Sequence, residues 1–198
     1  QSNYIPWKGY FDLINSVDLF VFHDDIQYTK NDWRNRNRIK TPEGVRWLTI
    51  PAGTSEKRLI NEVSFSDFSW QRKHWNLIRN SYAKSPYWNE YKDFFEDFYL
   101  FNKWDNLSTL NQYLIKKISL DFLGVVFEDS RKYNLIEKKE GRVLELLSKV
   151  KASEYLSGAA AKSYINEKNF EDEGIALTWF NYLGYKEYKQ LGDGFVHD

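Results

Sequence analysis

Between residues 34 and 50 the sequence allows few folds. Arg34, Arg36, Arg38 and Lys40 alternate with Asn35, Asn37 and Ile39. A period of two places every basic group on one face of an extended segment. Thr41-Pro42-Glu43-Gly44 follows, with Pro at the second turn position and Gly at the fourth, as a type I turn prefers. The pattern predicts a β-hairpin, residues 36–40 against 45–50. A charged edge strand that resists aggregation has a similar look. Three Arg and a Lys on one face, with Asp32 the only acid from Lys30 to Lys40, favour binding of phosphate or carboxylate, because Arg contacts such groups in a bidentate manner.

The hairpin sits inside an alternation of strands and helices. Residues 19–22, Leu-Phe-Val-Phe, form an apolar run without alternation, which predicts a strand buried on both faces, as in a parallel sheet. Short apolar runs at 125–127, 154–156 and 175–180 predict further strands. Helical spacing marks 7–17, 69–83, 91–104, 107–123, 140–150 and 159–165, while 1–6 and 52–61 read as loop. Ser69 is placed to cap the second helix. Trp70, His74 and Ile78 share one face of that helix, and Leu107, Leu110, Leu114, Ile118 and Phe122 stay in phase along 107–123. Strands alternating with helices predict an α/β domain. The expected form is a Rossmann-like, mainly parallel sheet that carries the hairpin and a helical insert at about 69–123. A length of 198 residues suits one domain over 1–198. The chain starts at Gln1 and stops at Asp198 just after Gly-Phe-Val-His, so both ends look cut from something longer.

Composition removes several function classes. Lys plus Arg equals Asp plus Glu at 28 each, so no global field attracts nucleic acid or an anionic membrane, and a basic site has to be local. Without cysteine there is no disulfide, thiolate metal site or cysteine nucleophile. Three His at 23, 74 and 197 lack zinc-site spacing, so no metal site is assigned. No apolar run approaches the roughly 20 residues of a membrane span, and mean hydropathy is −0.67. No signal peptide is visible, and the expected location is the cytoplasm. Aromatics at 18% read mainly as core.

Three strand ends carry polar groups, where open α/β sheets bind ligands. The first is His23-Asp24-Asp25. Paired acids there would hold Mg²⁺, act as a general base or orient a substrate amine, although Asp also favours turns. The second is Ser157-Gly158, before the helix that carries Lys162, where close backbone approach and free N–H groups suit an anion. The third, Glu128-Asp129-Ser130, reads as a solvated loop. His74, on an apolar helix face, is either a buried histidine with a partner or a general base. His197 lies near a ragged end and is weakly interpretable. The candidate catalytic residues are therefore His74, Asp24 and Asp25. The candidate substrate-binding residues are Tyr28, Arg34, Asn35, Arg36, Arg38, Lys40, Ser157, Gly158 and Lys162. An anionic small molecule is the expected partner.

The motifs QSNYIPWKGYFDLI, DDIQYTKNDWRNRNRIKTPEG with WLTIP, KHW, YLSGAAAKSYI and GDGFV, in this order, resemble the WbqC-like family of bacteria. The resemblance covers nearly the whole chain. It implies a role in making O-antigen or another surface polysaccharide, with transfer of an acyl or aminoacyl group such as glycine to a nucleotide-linked amino sugar. A weaker similarity links WKGYFDLI to the H-x-G-H segment of nucleotidyltransferases, with Ser157-Gly158 and Lys162 parallel to their later phosphate motif. That resemblance implies nucleotidyl transfer or an ATP-dependent ligation, with ATP and Mg²⁺ as cofactors. Trp7 and Tyr10 stand where the two His of that segment would be, so the architecture carries over more readily than the chemistry. A non-catalytic binding protein of a biosynthetic complex is the third alternative.

Overall fold

The protein, seen in a computed structural model that describes residues 1–120 and 124–196, is of mixed α/β class. In chain order the elements are α1 (Lys8–Asn15), β1 (Leu19–Phe22), β2 (Arg36–Thr41), β3 (Gly44–Thr49), α2 (Ser69–Tyr82), α3 (Trp88–Glu96), α4 (Leu107–Ser119), β4 (Val126–Asp129), α5 (Lys139–Lys149), β5 (Glu154–Gly158), α6 (Glu167–Asp172) and β6 (Ala176–Phe180). Among the described residues the strands pair two by two. β1 runs parallel to β4 and β5 parallel to β6, while β2 and β3 form an antiparallel hairpin. Parallel pairing is present, as expected, but in separate two-stranded ladders rather than the one mainly parallel sheet that was expected. Parallel neighbours need a crossover. The β5–β6 crossover carries a 3₁₀ turn and α6, whereas everything from β2 to α4 lies between β1 and β4.

The chain divides into two compact units. One comprises Gln1–Trp7, Asp24–Asp121 and Lys186–Asp198; the other comprises Lys8–His23 and Phe122–Tyr185. The helices α2 to α4 share a core with the hairpin. Tyr4, Tyr28, Leu48, Ile50, Trp70, Trp75, Ile78, Phe98, Tyr99, Leu107, Leu110 and Leu114 are all buried in one cluster. Residues spaced three and four apart on α2 and α4 face this cluster, as their periodicity predicts. In the second unit Phe22 stacks on Phe127 at 5.7 Å, and Tyr155 stacks on Phe170 at 5.7 Å under α5 and β6 side chains.

Several local expectations are corrected. Ser69 is the first residue of α2 rather than its cap; Asp67 accepts the Ser69 N–H at 2.8 Å instead. The helix expected over 91–104 starts earlier, at Trp88, and runs into a π-helical turn at Asp97–Phe101. Helix α4 ends at Ser119, short of the expected residue 123, and is capped at its start by Asn106, whose side chain accepts the Thr109 N–H at 3.0 Å; Phe122 falls outside the described residues. Residues 159–163 form a short 3₁₀ helix, not an α-helix. Of β1, only Phe22 is fully buried; Leu19, Phe20 and Val21 are partly covered.

Candidate functional site

The hairpin has the expected register: Arg36 lies opposite Thr49, Arg38 opposite Trp47 and Lys40 opposite Val45. Directly opposed residues share a face of an antiparallel pair. One face therefore carries Arg36, Arg38, Lys40, Val45, Trp47 and Thr49, and the other Asn37, Ile39, Thr41, Arg46 and Leu48. The Asn37 face is the anchored one. Asn37 Nδ2 donates to the carbonyls of Tyr4, at 3.2 Å, and Ile5, and Leu48 enters the core. The arginine face is turned outward, with Trp47 at 45% exposure and Trp33 at 42%.

On that face the cations lie against indole rings. The Arg36 guanidinium sits 4.4 Å from the Trp47 centroid. Arg38 lies 5.5 Å from Trp47 and 5.7 Å from Trp33. The two indoles are 5.7 Å apart and inclined at 34°. Such cation–π contacts leave the N–H edges of a guanidinium directed outward in its plane. Arg36 has no hydrogen-bond acceptor or acid as partner among the described residues. Its neighbours in the ladder differ. Arg34 precedes the strand and pairs with Asp32, with only 14% of its side chain exposed. Lys40 donates to the Gly194 carbonyl at 2.5 Å, which brings the Gly192-Asp193-Gly194 turn against the end of the ladder. The two tryptophans are the residues that a reading of charge alone overlooks. The hairpin register would have found Trp47, since it falls opposite Arg38.

The other candidates in this unit lie inside it. Asp24 is fully buried, and its carboxylate accepts from the Ser2 N–H at 2.7 Å, the Ser108 hydroxyl at 2.6 Å and Gln112 Nε2 at 3.2 Å. His74 is buried as well. Its ring N–H donates to the Thr49 carbonyl, and burial lowers its pKa from 6.5 to about 4. Nδ1 lies 2.8 Å from the Tyr4 hydroxyl, which lies 2.5 Å from that of Tyr99. Asn35 donates to the Ile50 carbonyl at 3.0 Å and is buried too. Tyr28 is enclosed, with the Arg58 guanidinium 5.2 Å from its ring and burial raising its hydroxyl pKa. Asp25 is half-buried. Four of the expected site residues are thus framework. They fix the segment 2–5, helix α2 and helix α4 around the hairpin, and His74 holds Thr49, the residue opposite Arg36.

Ser157, Gly158 and Lys162 belong to the second unit. Ser157 is buried on β5, where its side chain bonds that of Tyr155. A Cβ on Gly158 would come within 3.3 Å of the Tyr182 hydroxyl. The Lys162 ammonium lies 5.3 Å from the Trp179 ring. In the same unit His23 Nε2 accepts from Arg142 Nε at 2.8 Å. This leaves that ring nitrogen unprotonated.

Comparison with known proteins places these residues in a family. Residues 1–198 match the WbqC-like protein family. The chain belongs to that family. The chain is also similar to an uncharacterised protein, Rv1507c, of Mycobacterium tuberculosis, with 42% identity over 199 residues, covering 98% of this chain and 86% of the relative. No solved structure matches it. Three of the segments that carry the resemblance meet: the N-terminal QSNYIP segment, the RNRNRIK strand and His74 of KHW are tied together by Tyr4, Asn37 and Thr49. Among the described residues no helix is long and apolar enough to cross a membrane.

Proposed function

We propose that this WbqC-like protein binds the diphosphate of a nucleotide-linked amino sugar on the Arg36 and Arg38 face. It then acts as an acyl or aminoacyl transferase in making a bacterial surface polysaccharide. The observation that carries the reading is Arg36. Its guanidinium lies over the Trp47 ring at 4.4 Å and has no anionic partner among the described residues, so its donors are preorganised for an incoming anion. The family supports the pathway, and the geometry supports the anion. His74 and Asp24, whose lone pairs are committed to protein donors, serve as positioning residues. Asp25 is the acid of the three that reaches solvent, and it takes the role of orienting or deprotonating the sugar amine. The parallel pairs β1–β4 and β5–β6 support reading the second unit as Rossmann-like, and Ser157, Gly158 and Lys162 are that unit's own candidate binding residues. A nucleotide-linked substrate places the reaction on the cytoplasmic side.

Calorimetry with a UDP-linked amino sugar tests the reading. A charge-assisted contact is worth about 1.5–3 kcal/mol, so Arg36→Ala should weaken binding roughly 10- to 100-fold. Equal affinity in the variant and the parent protein would remove Arg36 from the site.

A further inference from the structure

Resting on that reading, we infer that Trp33 and Trp47 take the nucleobase while Arg36 and Arg38 take the diphosphate, so that the element recognised is the nucleoside diphosphate rather than the sugar. Large aromatics normally bury most of their surface; these two stay more than two-fifths exposed and lean on each other at 5.7 Å. The hairpin register puts Trp47 and both arginines on one face, where indole and guanidinium are in contact. A sugar phosphate would use only the arginines. A nucleoside diphosphate uses both kinds of group, since a base stacks on an aromatic ring and the phosphates meet the guanidinium N–H edges.

The length of the stacked run decides against a polymer. Arg34 is paired with Asp32 and lies ahead of the strand, and the Lys40 ammonium is bound to the Gly194 carbonyl. The stretch in which a guanidinium lies over an indole is thus Arg36 and Arg38 with Trp33 and Trp47, the size of one base with two phosphates. A single-stranded nucleic acid binds along a longer basic groove with successive stacking rings, and the net charge of zero gives a polyanion no wider attraction.

The test is calorimetry on the full chain with UDP, ADP, inorganic pyrophosphate and glucosamine 1-phosphate, repeated on Trp33→Leu/Trp47→Leu, on Trp47→Phe and on Arg36→Ala. At least one nucleoside diphosphate should bind about 10-fold or more tighter than pyrophosphate. The double leucine variant should fall to the pyrophosphate level while its own pyrophosphate affinity stays within about 3-fold of the parent. Trp47→Phe keeps a ring under Arg36, so it should keep most of the nucleotide affinity and shows whether loss in the leucine variant is more than misfolding. Equal binding of UDP, ADP and pyrophosphate by the parent protein would overturn the inference. If Arg36→Ala still lost all of them, the anion-binding reading would survive it. Tighter binding of an oligo-dT strand than of any mononucleotide would also overturn it. No binding of any phosphate compound would sink both.

Discussion

His74 Nδ1 lies 2.8 Å from the Tyr4 hydroxyl, and this contact orders the protons of three side chains. Because the other ring nitrogen donates to the Thr49 carbonyl, Nδ1 is an acceptor. The Tyr4 hydroxyl therefore donates to it, and Tyr99 donates to Tyr4 across 2.5 Å.

The first expected outcome concerns pH. In the unfolded chain the ring takes a proton near pH 6.5, and in the fold only at about pH 4. Between those values the unfolded chain binds more protons, so the ring costs nothing above pH 6.5 and destabilises increasingly as pH falls toward 4. The loss from pH 7 to pH 5 should be on the order of 2 kcal/mol. Urea unfolding of the parent and of His74→Gln at both values checks it. The variant should lose about 2 kcal/mol less between them, and an equal loss in both proteins would assign the protons elsewhere.

Asp24 should prove structural. Replacing it with Ala strands the Ser2 N–H, the Ser108 hydroxyl and the Gln112 amide, all of which now point at its carboxylate. Stranded buried donors cost about 1–3 kcal/mol each before relaxation, so a net loss of roughly 3 kcal/mol is expected, or about 6–12 °C in Tm for a chain of this size. Differential scanning calorimetry of Asp24→Ala measures it. A stable variant that has lost only activity would instead restore Asp24 to catalysis.

Gly44 tests the hairpin turn. Its φ is +105°, a conformation in which a Cβ is strained even though open space surrounds it. Gly44→Ala should therefore cost about 1–3 kcal/mol, read as a lower urea midpoint at unchanged slope. Because Lys40 and Val45 pair beside this turn, ligand affinity should fall with it. An unchanged midpoint would mean that the turn relaxes freely.

The hairpin was legible because its determinants are local: a period of two, a Pro-Glu turn and a glycine at the returning strand. The parallel strands β1 and β4 were legible from their unalternating apolar runs, but not the division into separate ladders, which depends on which edges meet. Helix α6 was missed because six residues, Glu167–Asp172, are too few to show a period. The interior placement of Asp24, and the partner that decides for the buried reading of His74, were hidden for a different reason. Their partners lie far away in sequence, Tyr4 by 70 residues and Ser108 by 84, and a polar side chain announces neither burial nor satisfaction by itself. Asn35 and Asn37 carry the same lesson. Their alternation with arginine reads as part of a charged strand, yet their amides bond backbone carbonyls and are buried. Trp33 and Trp47 depart from the general rule that aromatics are core, and the register together with their exposure shows it.

Lys40 links the ladder to the segment Lys186–Asp198, and the link can be cut. Its ammonium donates to the Gly194 carbonyl at 2.5 Å, and its Cε lies 4.0 Å from where a Cβ on Gly192 would stand. Gly192 and Gly194 both have φ of +71°, so the turn can bring its backbone this close to the strand. The segment is further closed by Gln190, which exchanges two hydrogen bonds with Val196 at 2.9 and 3.0 Å, and by the Tyr188 ring edge-on to Phe195 at 5.1 Å. Those contacts are internal to the segment. Losing the exposed Lys40 bond should therefore free the turn without unfolding the chain. At about 1 kcal/mol for such a bond, the opened population rises roughly fivefold. When opening is fast relative to cleavage, proteolysis follows that population. Lys40→Met keeps the aliphatic stem and removes the donor, so trypsin cleavage after Lys189 should speed up about fivefold while the Tm stays within about 2 °C. Unchanged cleavage would show that the turn is held without Lys40, and a large fall in Tm would show that the segment supports the core.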